Sequence, residues 1–361
     1  MMPLRRLYPT ISLLRRKFGA AHTLEAVSTR TWVLSRQVEA ESPRALFDEA
    51  DLSKVTGVDE AFSGDIVAHK ALAYGGRVTH RATRLFELRD VVIGGGHLFT
   101  KRLFHRLGVS RHPLVLPRPD RRYVSAALCA THAGSRFFGS WLIDDLPLTL
   151  AAVDLGHAPV SSNLHRYASQ HAWLSTMDLK SEKVTTAHFD RLFVLDDVGE
   201  TPHKVDRTRR LQERARRRLH PRLHNGVMFL RGSHGVLRRL VNETQVAELA
   251  RSYGLTVIDP MTTTPSEIAS ASLGAKIVMG VEGSQLSNGL LCAPAGGAML
   301  VLQPPRRFSL VYKGICEARG HRFAFIVGDP VDETDRFKIE PAAVAGMLDR
   351  LLTEQTTKGN E

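Results

Sequence analysis

The chain has 361 residues, of which 43% are hydrophobic and 24% are charged. These ordinary globular values exclude a disordered or fibrous protein, and the length favours two domains over one. Lys and Arg outnumber Asp and Glu by 49 to 37, a formal net charge of +12. That charge suits an anionic partner, either a membrane surface, a nucleic acid or a phosphorylated small molecule, without choosing among them.

The cysteines and the longest uncharged run of the sequence indicate in which cellular compartment the protein lies. Cys129, Cys292 and Cys316 lie far apart without CxxC spacing, so we expect buried thiols in a reducing compartment and neither a disulfide framework nor a zinc site. The longest uncharged run, residues 283–305, contains Asn288, several glycines and three prolines. We therefore expect no transmembrane helix. A cytoplasmic protein follows, with peripheral contact at the inner face of the membrane left open.

Residues 1–20 form a basic N-terminal segment in which apolar and basic side chains alternate. The pattern predicts a short amphipathic segment interrupted at Pro9. Two interpretations stay open, contact with an anionic membrane surface and a solvated basic tail.

Residues 21–203 are predicted to form an N-terminal α/β domain. The segments 66–74, 84–99 and 113–131 are β-rich, and Gly94–Gly96 indicates a tight turn between two strands rather than a dinucleotide fingerprint. Residues 137–155 then show a helical period, with a kink expected at Pro147.

Residues 204–222 carry nine basic and two acidic side chains around a thin apolar stripe, Leu211, Ala215 and Leu219. The simplest interpretation is a solvent-facing helix that links two domains, with phosphate or membrane contact as the alternative. Because no aromatic residues interleave with the basic ones, we do not expect nucleic-acid binding.

Residues 223–335 are predicted to form a second α/β domain, followed by a C-terminal helix and tail over 336–361. Strands are predicted at Val227–Leu230, Leu255–Ile258 and Ala275–Met279, with helices between them. The first helix is predicted to carry Leu240, Val241, Val246, Leu249 and Ala250, and the second to be capped by Thr264 or Ser266. Strands and helices that alternate in this way predict a parallel sheet.

Polar residues follow these strands at the sheet edge where ligands of parallel sheets bind, namely Arg231, Asp259 and the run 282–288. Gly283 and Ser284, at the start of a helix, would suit a diphosphate, and Glu282 would accept hydrogen bonds from sugar hydroxyls. Arg231 together with Arg238 or Arg239 could neutralise phosphate charge. The alternative is that the glycines only make turns, that Asn288 is an internal helix partner and that the arginine pair is solvated.

Asp144 and Asp145 are the acidic candidates of the first half, since one of them must point inward if the apolar helix face is buried. A buried carboxylate has a raised pKa and can take a proton from a hydroxyl. An acid paired with a neighbour such as Arg136 is the alternative. Other acids and histidines are weaker candidates, since the histidines lack the spacing of zinc ligands, and the two acidic clusters could recruit a divalent ion but are more simply parts of solvated loops. These weaker candidates are Asp196, Asp197, Asp329, Asp332, Asp335, His132, His157, His165 and His171.

Several of these segments, in this order, resemble the glycosyltransferase family 61 proteins, including those of capsular polysaccharide synthesis, over roughly Tyr123–Asp329. They are Trp141-Leu142-Ile143-Asp144-x-Leu146-Pro147, Phe229-Leu230-Arg231 with Arg239 and Asn242-Glu243, Gly254-Leu255 with Asp259-Pro260, and Gly280-Val281-Glu282-Gly283-Ser284 through Asn288. The last segment is similar to the family's Gly-x-His-Gly-Ala-x-x-x-Asn. Two family histidines are replaced, one by Glu282 and one in Phe137-Phe138-Gly139-Ser140.

The resemblance implies an α/β, GT-B-like fold, in which two Rossmann-like domains face each other across a cleft and the C-terminal one binds a nucleotide-sugar donor. It implies an inverting hexosyl- or pentosyltransferase that acts on a hydroxyl of a cell-surface polysaccharide or lipid-linked glycan, without a tightly bound cofactor and without a required divalent metal. The base would be Asp144 or Asp145. The donor residues would be Arg231, Arg239, Asp259, Glu282, Gly283, Ser284 and Asn288. Because the histidines are replaced, an inactive sugar-binding or scaffold protein is the alternative.

Overall fold

The computed structural model describes residues 3–18, 22–59, 65–108, 113–162, 167–221, 223–232 and 238–358. The protein is mixed α/β and divides into two compact units. The first unit contains residues 1–38 and 80–211, and the second contains residues 39–79 and 212–361. Residues 39–79 therefore group with the C-terminal half of the chain.

The elements up to residue 130 are, in chain order, α1 (Pro3–Arg6), α2 (Tyr8–Lys17), α3 (Leu24–Val27), β1 (Arg30–Ser35), β2 (Val38–Ser42), α4 (Glu49–Lys54), α5 (Ile66–Ala71), β3 (Gly76–His80), β4 (Thr83–Gly94), β5 (His97–Phe99), β6 (Phe104–Arg106) and β7 (Arg121–Leu128). Those up to residue 230 are α6 (Phe138–Ser140), a π-turn (Trp141–Asp145), α7 (Leu146–Asp154), β8 (Pro159–Ser162), α8 (Gln170–Thr176), β9 (Glu182–Val184), β10 (Thr186–Asp196), α9 (Pro202–Arg218) and β11 (His224–Phe229). The remainder are β12 (Arg239–Leu240), α10 (Glu243–Ser252), β13 (Leu255–Ile258), α11 (Pro265–Ser272), β14 (Ala275–Val281), α12 (Leu286–Cys292), β15 (Ala298–Gln303), α13 (Val311–Ala318), β16 (Arg322–Val327), β17 (Asp329–Pro330), β18 (Arg336–Lys338) and α14 (Pro341–Lys358).

The first unit is built on a mixed sheet with the order β6-β5-β4-β10-β7-β8-β9. Strand β1 pairs with the first residues of β4, whereas β5 pairs with its last residues. The pairs of β4 with β1, β5 and β10 are antiparallel, whereas β10, β7, β8 and β9 run parallel. Gly95 and Gly96 join β4 to β5 with φ values of 55° and 75°, which confirms the predicted tight turn. This hairpin makes the sheet differ from the fully parallel sheet of a Rossmann-like domain.

The second unit contains a five-stranded parallel sheet with the order β13-β11-β14-β15-β16, which confirms the predicted parallel arrangement. Along the chain this is the order 2-1-3-4-5, a doubly wound order. The face with Met228, Met279 and Leu300 packs against α10 and α14. On the other face α12 approaches closely, since a Cβ on Gly289 would collide with Val278 and Phe229.

This order fixes where a ligand can enter. The connections of β11 and β14 leave on opposite faces, and in such sheets a crevice opens between the carboxyl ends of these two strands.

Thr264 caps α11 in a capping box with Glu267, as one of the two predicted caps, and Pro265 lies in the first turn.

Two predicted elements are wrong. Residues 66–74 form α5 and a 3₁₀ turn rather than β structure, because the Asp65 carboxylate accepts a hydrogen bond from the Val67 N–H and caps a helix. The helix predicted to include Leu240 starts only at Glu243, because Arg239 and Leu240 pair with β18 instead.

The helix predicted over residues 137–155 is present. It is irregular in the π-turn just before Pro147, close to the expected kink. The Leu146 N–H donates to the Trp141 carbonyl, five residues earlier, within the π-turn. Pro147 has no N–H to continue the ladder. Turns of this kind occur often at functional sites.

Helix α9 is not simply solvent-facing, contrary to the prediction. Lys204 and Arg207 are 2% and 1% exposed, because Asp144, Glu200 and Asp197 neutralise their charges. The apolar residues Leu211 and Ala215 are buried as predicted.

The three cysteines are free and buried, which confirms the expected burial. Within the described ranges, no helix has the length and apolar character needed to cross a membrane.

Candidate functional site

The second unit collects three arginines near the crevice between β11 and β14. Arg231 lies two residues after β11, Arg307 follows β15, and Arg238 immediately precedes β12. We call these three residues, with Asp59 and Glu282, the arginine cluster. Its members come from four connecting segments, since Arg231 and Arg238 both lie between β11 and β12, and all belong to the second unit.

Two carboxylates hold the arginines together. Asp59 Oδ2 accepts a hydrogen bond from Arg307 Nη2 at 2.9 Å and lies 3.5 Å from Arg238 Nη1. Arg238 also forms an ion pair with Glu282. The side chains of Arg238, Asp59 and Glu282 are only 11%, 9% and 6% exposed, so these charges interact in a poorly solvated environment.

Arg231 joins the cluster through the loop that follows β14. Its Nη1 donates to the Glu282 carbonyl at 3.3 Å and to Gln285 Oε1 at 3.1 Å. Its backbone N–H donates to Glu243 Oε1 at 2.8 Å. A Cβ on Gly283 would collide with the Arg231 guanidinium, so the absence of a side chain at Gly283 lets Arg231 lie against this loop.

The guanidinium groups of the cluster are affected by their burial. Burial, together with the charges of Arg231 and Arg307, lowers the pKa of Arg238 to about 10. Burial also lowers the pKa of Arg231. Within the described part of the chain, Nε of Arg238 and Nε of Arg307 are buried without a hydrogen-bond partner, whereas Nη1 of Arg238 pairs with Glu282. Buried donors of this kind call for an acceptor, and guanidinium groups bind carboxylate and phosphate oxygens well.

The start of α12 contributes little to such an anion site. The N–H groups of Leu286, Ser287 and Asn288 already donate to the carbonyls of Gly283, Ser284 and Gln285. The Asn288 side chain donates to the Gln285 carbonyl at 2.8 Å, which is the internal helix contact of the alternative interpretation.

Two further donor candidates lie outside the cluster. Arg239 is exposed in β12, where its backbone N–H donates to the Asp335 carbonyl. Asp259 follows β13, and its Oδ1 accepts from the Met261 N–H within a turn. The sequence motif thus pointed to Arg239, whereas the structure brings its neighbour Arg238 to Glu282.

The first unit buries Asp145 near the carboxyl ends of β7 and β8. The residue is 3% exposed. Its Oδ1 accepts one hydrogen bond from the Thr131 backbone N–H at 3.0 Å and another from the Thr131 hydroxyl at 2.7 Å. Burial raises the pKa of Asp145 well above that of an ordinary carboxyl, the hydrogen bond from the Thr131 hydroxyl lowers it, and the charge of Asp144 raises it. A Cβ on Gly134 would collide with this carboxylate, so Gly134 leaves the space that Asp145 fills.

Asp145 lines a small cavity of about 20 Å³ with Ser135, Trp141, Ser161, Ser162 and Gln170. Such a volume holds roughly one water-sized group. A hydroxyl is a group of that size, and the walls are largely polar.

Asp144 has a different environment although it is the next residue. Lys204 Nζ donates to its Oδ1 at 2.7 Å and also lies 2.8 Å from Glu200 Oε1. The expected alternative of a paired acid thus applies to Asp144, with Lys204 in place of Arg136.

The remaining acids take part in ion pairs. Asp196 contacts Arg81 and Arg84, Asp197 contacts Arg207, and Asp332 contacts Arg336. No group of three His, Cys, Asp or Glu residues among those described is arranged to hold a metal ion. His165 lies outside the described residues.

The description "Glycosyltransferase 61" names the family whose model matches residues 102–299, more than half of the chain. The chain belongs to this family. Membership supports a glycosyltransferase, which binds a nucleotide-sugar donor and a glycan acceptor. The matched range contains Asp145, Arg231, Arg238 and Glu282.

Comparison with other known proteins adds little. No curated protein matches the sequence. Among solved structures, the metal-soaked Flv1 flavodiiron core from Synechocystis sp. PCC6803 is similar with 13% identity and a TM-score of 0.25, over 59% of this chain and half of that one. So low a score supports no structural conclusion.

Sequence reasoning missed three members of these sites. Arg307 follows a strand and two prolines, so the strand-end rule used for Arg231 would have found it. Asp59 lies in a stretch without any recognisable pattern. Thr131 is recognisable only from its contact with Asp145.

Proposed function

We propose that this glycosyltransferase transfers a hexosyl or pentosyl unit, with inversion, from a nucleotide sugar to a hydroxyl of a cell-surface polysaccharide or lipid-linked glycan. The observation that carries the proposal is the arginine cluster, in which Nε of Arg238 and Nε of Arg307 are buried without an acceptor among the described residues, beside the crevice of a doubly wound sheet. A nucleoside diphosphate supplies oxygen acceptors for these buried N–H groups. The GT-B arrangement and a cytoplasmic location, where the reaction would meet its nucleotide sugar, remain parts of the proposal.

In the proposed reaction Asp145 is the general base. Its carboxylate takes the proton of the acceptor hydroxyl while that oxygen forms a bond to the anomeric carbon of the donor. The bond between the anomeric carbon and the diphosphate oxygen breaks, and the diphosphate leaves with the electron pair. Arg231, Arg238 and Arg307 stabilise its growing charge. A single displacement of this kind inverts the anomeric configuration.

Asp145 suits this role better than Asp144. Both hydrogen bonds to Asp145 from described residues go to Oδ1, which leaves Oδ2 for an acceptor proton. A raised pKa brings a carboxylate closer to the value that favours proton transfer near neutral pH. Asp144 is held by Lys204 instead.

Glu282 has a supporting role in this proposal. It occupies the place of a family histidine, and its carboxylate forms an ion pair with Arg238. The residue would hold Arg238 in position and accept hydrogen bonds from sugar hydroxyls of the donor. A protein that binds donors but transfers no sugar to any acceptor would instead favour the sugar-binding alternative.

Calorimetric titration with uridine and guanosine diphosphate tests the donor site. The wild-type chain should bind at least one of them, and Arg238→Ala should weaken binding by about 10- to 100-fold, because hydrogen bonds to charged groups contribute about 1.5–3 kcal/mol. Arg322→Ala is the matched control. Arg322 begins β16 at the opposite end of the strands and donates to the Leu351 carbonyl. Absence of binding to the wild type, or equal loss in both variants, contradicts the proposal.

A further inference from the structure

The N-terminal helix has an apolar side that faces solvent. Leu7, Leu14 and Phe18 are 43%, 50% and 79% exposed. The Leu7 carbonyl accepts from the Ile11 N–H and the Leu14 carbonyl from the Phe18 N–H, so both ends continue the helical pattern of α2. Spacings of seven and four residues place the three side chains on one side of that helix.

The opposite side of α2 is fixed to the sheet of the first unit. Tyr8 is 3% exposed and packs with Val92, Phe99 and Leu116. Its hydroxyl and Arg5 Nε both donate to the Asp90 carboxylate. The helix is therefore held without any contribution from its outer side, and the exposed leucine and phenylalanine side chains need another explanation.

A second segment extends this apolar surface. Leu114 and Val115 are 63% and 49% exposed. They lie alongside the helix, because the Leu116 N–H donates to the Arg6 carbonyl, and Thr10 Oγ1 donates to the Leu114 carbonyl. Exposed apolar side chains that gather from two chain segments mark an interaction surface.

Both segments are strongly basic. Residues 1–24 contain five Lys or Arg, residues 91–119 contain another five, and neither stretch contains Asp or Glu. The whole chain has 37 acidic residues, so their absence here is a local feature. Among the basic side chains, Lys17 and Arg118 are exposed.

We propose that this N-terminal surface, formed by Leu7, Leu14, Phe18, Leu114 and Val115 with the basic residues around them, binds the surface of an anionic lipid bilayer. Apolar side chains enter the boundary between headgroups and acyl chains, while lysines and arginines attract anionic headgroups. A nucleic acid would satisfy the charges but would leave the leucine and phenylalanine side chains without a function. A second copy of the chain would bring two basic surfaces together.

Vesicle flotation with the full chain tests this surface. We expect the wild type to bind vesicles of phosphatidylcholine and phosphatidylglycerol at a ratio of about 3:1, and not vesicles of phosphatidylcholine alone. Binding should weaken as salt is raised. The double variant Leu14→Ser/Phe18→Ser should bind at least about tenfold more weakly, since two apolar side chains no longer insert. Lys17→Gln and Arg118→Gln should each weaken binding by about fivefold.

The matched control is Val198→Ser/Leu223→Ser, whose wild-type side chains are 69% and 90% exposed elsewhere in the chain. This control should bind anionic vesicles as the wild type does, and thermal unfolding should show that both double variants remain folded. Equal binding to neutral vesicles, no binding to anionic vesicles, or wild-type binding by Leu14→Ser/Phe18→Ser would each overturn the proposal. Salt-dependent binding of random DNA without vesicle binding would overturn it too and would assign a nucleic acid.

Discussion

The two units place opposite charges at the ends of their parallel strands. In the second unit, Arg231, Arg238 and Arg307 meet beside β11 and β14, and Nε of Arg238 and Nε of Arg307 are buried without an acceptor among the described residues. In the first unit, one carboxylate, Asp145, is buried near the ends of β7 and β8 beside a cavity of about 20 Å³. The first arrangement suits a large anion and the second a single hydroxyl, which are the two reactants of glycosyl transfer.

The two sites are also assembled differently. The arginine cluster draws its five residues from positions 59 to 307, so only the complete fold of the second unit brings them together. Thr131 and Gly134, which contact the Asp145 carboxylate, precede it by only fourteen and eleven residues, although Ser161, Ser162 and Gln170 also line its cavity. Substitutions should therefore separate donor binding from proton transfer.

The largest expected effect is at Asp145. Asp145→Asn should lower kcat/KM for sugar transfer by about 10²- to 10⁴-fold, because the amide cannot take the acceptor proton. Nucleoside diphosphate affinity should not change. Asp144→Asn is the neighbouring control and should retain most activity, since Asp144 pairs with Lys204. Full activity in Asp145→Asn would remove this residue from the mechanism.

Arg307 tests whether the cluster acts as a unit. Arg307→Ala should weaken donor binding by about tenfold or more, because one charged donor is lost and Asp59 loses its closest cation. Arg306→Ala, the adjacent control, removes a contact with the exposed Glu333 and a hydrogen bond to the Asp332 carbonyl, neither of which belongs to the cluster, and should change affinity by less than about twofold. Titration calorimetry measures both. Equal affinities in the two variants would show that Arg307 does not contact the donor.

A smaller effect should appear in the pH dependence of transfer. Asp145 acts when deprotonated and burial raises its pKa, so kcat/KM should fall as the pH drops through this raised value. Thr131→Val removes the hydroxyl hydrogen bond that lowers the pKa, so the acidic limb should move to higher pH. Ser135→Ala, a change at another residue of the same cavity, serves as the control. An unshifted limb in Thr131→Val would mean that a different group titrates.

The smallest effect should come from metal removal. No described residues form a metal-binding group, and the arginines can neutralise a diphosphate by themselves. Addition of EDTA should therefore change the transfer rate by less than about twofold. Loss of activity that Mg²⁺ or Mn²⁺ restores would show that a metal shares the neutralisation of the diphosphate.

Local signals in the sequence predicted much of the second unit. The strand Leu255–Ile258 and the cap at Thr264 are confirmed, because hydrophobic runs and capping residues act over a few positions. The same kind of local signal was misleading at residues 66–74, where the side-chain cap of Asp65 overrides an apparent strand pattern.

Long-range pairing explains what the sequence could not predict. The burial of Lys204 depends in part on Asp144, which lies 60 positions earlier in the chain and which the folded first unit brings to α9. Likewise, Asp59 reaches Arg307 across 248 positions of the chain. The choice of Arg238 over Arg239 follows from the pairing of β12 with β18, which turns Arg239 outward.

The division of roles between the units is tested most directly by titrating Asp145→Asn and Arg238→Ala with the nucleoside diphosphate that the wild type binds. Asp145→Asn should bind it with wild-type affinity, whereas Arg238→Ala should bind it at least about tenfold more weakly. Wild-type affinity in Arg238→Ala would contradict the account, because the arginine cluster would then not be the donor site.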